Sequence, residues 1–183
     1  MKQLLSNKTT YMYSVCLVAI GILTNWNNAC AQDTNKDISD NARITSQAFD
    51  TLKAEQYEGA IRKADECIRL FRHDADDMQN QLRTNNAAIP PVGKVTDQGE
   101  SEKILNRGPL NDVASCYFIQ GEANAKLAAK ADSAQKGQYL AKARAAYEAA
   151  ARYTYARTWD TRGWFWSPAK TANQRLEDME PSR

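Results

Sequence analysis

The stretch Ala48 to Phe71, AFDTLKAEQYEGAIRKADECIRLF, decides how the rest of the chain is read. In its second half, apolar or small residues fall at Tyr57, Ala60, Ile61, Ala64, Cys67, Ile68 and Phe71. Steps of three and four place them on one face of a helix. Ile44, Ala48 and Leu52 repeat the step just upstream. The pattern predicts two antiparallel helices joined by a tight turn, with Ala48, Ala60 and Ala64 letting the axes approach closely. Composition agrees. Only eight Gly and five Pro occur in 183 residues, without β-branched alternation, so the expected class is all-α.

These residues resemble the tetratricopeptide repeat (TPR), a 34-residue helix–turn–helix unit. Ile44 stands at that family's first large position and Ala48 at its small one. Tyr57, Ala60, Ala64 and Cys67 take the positions of its Tyr, Ala, aromatic and Ala. The family's glycine at the Ala48 position and its terminal proline, here Arg72, are missing. A second unit is fainter. Tyr117 and Gly121 resemble a first helix, and Ala143, Tyr147 and Ala150 a return helix. Extra residues around 129–137 lengthen both arms. The resemblance implies an α-solenoid of two degenerate hairpins with a C-terminal capping helix.

The predicted boundaries are a first hairpin over 38–83, a loop over 84–109, a second hairpin over 111–154, and an aromatic segment with capping helix over 155–180. Asp37 or Ser39 is expected to cap the first helix and Asn111 to cap the first helix of the second hairpin. The Pro90-Pro91-Val92-Gly93 loop has no helical period, though a short helix over 100–106, ended by Gly108-Pro109, fits within it. Ser167-Pro168 reads as the N-cap and first residue of the last helix.

Residues 1–31 are expected to be an export signal. Lys2 and Lys8 precede an apolar run, Tyr11 to Leu23, and Ala29-Cys30-Ala31 supplies a small-residue cleavage site. Cleavage after Ala31 implies a periplasmic or secreted protein. Lipid anchoring through Cys30 and an uncleaved anchor are the alternatives. Two of the 24 basic residues leave with that segment, so 22 remain against 22 acidic ones. A net charge of zero argues against nucleic acid as the main partner. No membrane span is expected in the remaining chain.

No catalytic constellation emerges, and the expectation is a non-enzymatic protein with no cofactor and no metal site. His73, the only histidine, lies in the charged run RHDADD and reads as a solvated helix face. Three groups of residues remain as candidates. In the family, the first helices build a concave face that binds peptides or partner proteins. By position that face includes Thr45, Phe49, Ser115, Phe118, Glu122 and Lys126, with Phe49 and Phe118 foremost. Six of the fifteen residues from Tyr153 to Ser167 are aromatic. With Arg157, Trp159, Asp160, Arg162, Trp164 and Trp166 they form either a carbohydrate or small-ligand platform, a peptide contact, or a plug of core residues. Exposure of the tryptophans separates the platform from the plug. Finally, Cys67 and Cys116 are either a disulfide between the two units or two buried free thiols. Exported relatives of the repeat family commonly scaffold envelope assemblies, so the resemblance implies an adaptor.

Overall fold

Helix α1 (Asp40–Lys53) and helix α2 (Tyr57–Thr84) follow the apolar steps of the sequence. The turn between them works because Glu55 adopts φ 57°. This left-handed residue lets the Glu55 and Gln56 amides reach back to the Leu52 and Thr51 carbonyls, closing the last turn of α1. Asn86, at φ 47°, ends α2 in the same way: the Asn86 and Ala87 amides donate to Arg83 and Leu82. The computed structural model describes residues 38–160 and 164–180. The expected signal segment, 1–31, lies outside these residues.

Inside 84–109 the chain is more ordered than its composition indicates. A two-residue strand, β1 (Gly93–Lys94), precedes helix α3 (Gln98–Leu105), whose first turn is capped by the Asp97 carboxylate accepting from the Glu100 amide at 2.7 Å. Helix α4 (Gly108–Lys130) begins three residues earlier than expected, with Pro109 in its first turn. Asn111 therefore does not cap a helix. Its side chain instead donates to the Ile104 carbonyl at 2.7 Å and accepts from the Arg157 amide at 2.9 Å, joining α3 to the later aromatic segment. Ser39 stands at the N-cap of α1 but makes no capping bond with its side chain.

Asp132 caps helix α5 (Ser133–Ala151) by accepting from the Gln135 amide at 2.9 Å. Strands β2 (Thr158–Trp159) and β3 (Trp164–Trp166) follow, then helix α6 (Pro168–Asp178), whose N-cap Ser167 accepts from the Lys170 amide at 3.2 Å. The strands form an antiparallel sheet of order β1-β3-β2, which was not foreseen. Gly93 pairs with Phe165 and Lys94 with Trp164; Thr158 pairs with Trp166 and Trp159 with Phe165. Strands this short carry no periodic signal.

Consecutive long helices pack on one another, α1 on α2, α2 on α4, α4 on α5 and α5 on α6. Helix α1 also touches α4, and α4 touches α6. One core cluster joins Ile44, Ala48, Ala64 and Cys67 to Leu110, Val113, Cys116 and Ile119. Withdrawing one such Leu or Ile from water contributes roughly 1.5–3 kcal/mol. A second cluster joins Phe118, Ala143, Tyr147 and Ala150 to Ala172 of α6. Tyr147 lies against the bare Cα of Gly121, where any added Cβ would overlap its ring. No described helix is long and apolar enough to cross a membrane.

Candidate functional site

The family-like face of the first helices is largely internal. Phe118 is only 8% exposed. Its ring meets Trp166 edge-on at 5.2 Å and Tyr147 at 6.0 Å. Phe49 reaches the same indole at 6.5 Å. Trp166 is thus a wedge linking α1 to α4, and Phe118 offers no surface to a partner. Ser115 donates to the Asn111 carbonyl at 2.7 Å and meets the Thr158 hydroxyl at 2.6 Å. Glu122 is taken up as well, accepting from the Tyr147 hydroxyl and from Arg175 Nε of α6, each at 2.7 Å. Burial, then the Glu122 carboxylate, hold the Tyr147 hydroxyl far above its ordinary range. Lys126 remains exposed.

The aromatic segment divides by role. Tyr153 and Tyr155 are buried, the former stacked on Tyr117 at 6.0 Å and donating to Asp76 at 2.6 Å. Arg157, expected as a ligand group, is 4% exposed and fully occupied by backbone. Its Nε donates to Pro90 and Pro91 at 2.9 and 3.0 Å, and Nη1 donates to Thr154 and Ala156 at 3.1 and 2.6 Å. Nη2 also donates to Pro90. A guanidinium fits here because its fork offers five N–H donors in fixed directions. It is a clamp tying the proline loop to the segment after α5. Burial lowers its pKa, with the nearby Arg107 adding to the effect.

Trp159 and Trp164 are 55% and 51% exposed. Both contrast with Trp166, half-buried in the second core cluster. Register sets Trp159 beside Phe165, on the side of the sheet opposite the Thr158–Trp166 pair that faces α4. Asp160 Oδ1 accepts from the Trp164 amide at 3.0 Å, fixing the start of β3. Arg162 lies outside the described residues. The five described residues of the expected platform therefore do not form one surface: Arg157 is buried and Trp166 half-buried, while Trp159 and Trp164 are exposed.

What the structure does assemble is a groove beside α6. One hollow of about 540 Å³ is lined by Trp164, Gly93, Asp160, Lys170, Thr171 and Gln174, among others. A second, about 640 Å³, continues along Ile89, Pro91, Asn173 and Glu177 and shares Val92, Ser167, Lys170 and Gln174 with the first. Gly93 has φ 94°, a conformation suited to glycine, and a Cβ there would sit 3.7 Å from the Trp164 ring. The indole thus rests against bare backbone. The sequence signal for this groove was Lys170, Thr171, Asn173 and Gln174 one turn apart on the capping helix. Nothing local announced that residues 89–94 would form the other wall.

Cys67 and Cys116 are free thiols, both fully buried. Thr45 Oγ1 lies 3.4 Å from each sulfur. Their mutual hydrogen bond lowers the Cys67 pKa, while burial raises that of Cys116. Nearby, Asp112 accepts from Asn41, and burial lifts its carboxyl to about 6. His73 is solvated, its Nδ1 3.2 Å from an Asp77 carboxylate oxygen. Among the described residues no cluster of three metal-ligating side chains occurs. Comparison with protein-family models, curated proteins and solved structures found no match for this chain.

Proposed function

We propose that this chain is a non-catalytic recognition module of the cell envelope, two degenerate TPR-like hairpins closed by a capping helix, which binds its partner at the groove headed by Trp164. One observation carries the reading: an indole is held half in water against Gly93, at the mouth of a groove bounded by helix α6 and the proline loop. Large aromatic surface left in water at a concave site is the usual mark of recognition. The nearest-neighbour packing of the long helices, with α1 touching α4 and α4 touching α6, supports the solenoid part of the proposal. Export rests on the leader-like residues 1–31. The family-like face carries the weaker reading, because Trp166 and α6 already occupy Phe118 and Glu122.

Chemical protection tests it. Indoles of the purified protein are oxidised with N-bromosuccinimide, with and without a soluble envelope extract of an expressing host, and each site is read by mass spectrometry. The extract is expected to slow oxidation at Trp164 more than at Trp159. Equal slowing at both, or none, would rule the groove out.

A further inference from the structure

We propose that the ligand of the Trp164 groove is a neutral oligosaccharide, an inference that rests on the recognition reading above. Three features converge. The first is the stacking surface: Trp164 is 51% exposed and backed by Gly93, so its ring is presented with little freedom. A flat, pre-positioned indole suits the apolar C–H face of a pyranose, and the rigid backing limits the ordering cost of binding.

The second feature is the polar wall. Asn173 and Gln174 bring two carboxamides to the two hollows from one side of α6, and Thr171, whose hydroxyl donates to the Ser167 carbonyl at 3.1 Å, adds an acceptor oxygen. Carboxamides donate and accept at once, which matches hydroxyl groups that do the same. From Lys170 to Glu177 the helix runs about 10 Å at 1.5 Å per residue, room for a short chain of sugar rings rather than one. Volumes of 540 and 640 Å³ lie within the ~300–1,000 Å³ of small-ligand sites.

The third feature is charge. Lys170 lines the hollows together with two carboxylates, Asp160 and Glu177, and the guanidinium of Arg157 is held by carbonyl oxygens. Among the described lining residues no cluster of cations faces the groove. This favours a neutral glycan over an anionic polymer, which would reward clustered cations. An extended peptide is the competing occupant; Ile89 and Val92 would meet its side chains.

The test is calorimetric titration of the full chain with defined neutral oligosaccharides (gluco-, xylo- and N-acetylglucosamine series), with polygalacturonate as the anionic contrast. Saturable binding of at least one neutral series is expected, weakened about tenfold or more in Trp164→Ala and severalfold in Gln174→Ala. Trp159→Ala, outside both hollows, is expected to bind as wild type. Gln174 is exposed on a helix, so its variant reports on the site even if Trp164→Ala loses stability. Absence of neutral binding, a preference for polygalacturonate, or equal affinity in Trp164→Ala would overturn the proposal. If extract still protects Trp164 from oxidation while no glycan binds, the ligand class is wrong and the groove stands; without protection, both readings fall.

Discussion

Gly121 and Asp112 show how single positions set the packing of this protein. Tyr147 occupies the space a Cβ on residue 121 would need, and its hydroxyl is anchored on Glu122. Gly121→Ala must push that ring off its site. We expect a loss of about 1–3 kcal/mol, read as a lower midpoint in urea. Asp112 acts through pH. Its folded pKa, raised to about 6 by burial, exceeds the unfolded value near 3.8. The folded state therefore binds the proton more tightly, and this group's contribution is fully present below about pH 3.8 and is lost as pH rises through 6. Asp112→Asn keeps an acceptor for Asn41 without the charge. It is expected to gain about 1–3 kcal/mol over wild type at pH 7 and to show no difference near pH 3.5, by paired denaturation curves.

At the scale of elements, two contacts tie distant stretches together. Arg157 binds the proline loop to the turn after α5 through carbonyls of residues 90, 91, 154 and 156. Arg157→Met would leave those buried carbonyls without their donor. It is expected to cost about 2–4 kcal/mol and to speed amide exchange across residues 87–94 while α2 stays protected. Cys67 and Cys116 bring α2 and α4 together over a shared Thr45 hydroxyl. Refolding in oxidised and reduced glutathione is expected to close an intramolecular disulfide, stabilising the fold by about 2–4 kcal/mol. A mass unchanged by oxidation would show that the helices cannot bring the sulfurs into bonding geometry. Long helices were legible in the sequence because each repeats its apolar step over several turns, as at Ile44–Ala48–Leu52 and Ala143–Tyr147–Ala150. The break at 84 was legible, and there the Asn85 and Asn86 amides close α2. The sheet was not, since strands of two or three residues are specified by pairing between positions 93 and 165, which no local pattern encodes.

Across the whole molecule, the same limit explains the site. The sequence singles out the aromatic run from Tyr153 to Ser167 but does not divide it. Whether a tryptophan is wedge or platform depends on what lies across from it: Phe49 and Phe118 for Trp166, Gly93 for Trp164. Arg157 looked like a ligand group for the same reason, two of its four carbonyl partners, Pro90 and Pro91, being more than sixty residues away. The central claim is that the groove headed by Trp164, not the Phe49/Phe118 face, is where this protein recognises its ligand. Acrylamide quenching of wild type against Trp159→Phe, Trp164→Phe and Trp166→Phe, with and without the oligosaccharide that binds best, tests it most directly. We expect Trp164 to contribute red-shifted, easily quenched emission that the ligand shields. Trp166, which touches the same hollow but is half-buried against Phe49 and Phe118, is expected to contribute blue-shifted, poorly quenched emission. Poorly quenched Trp164 emission, indifferent to every ligand, would contradict the account.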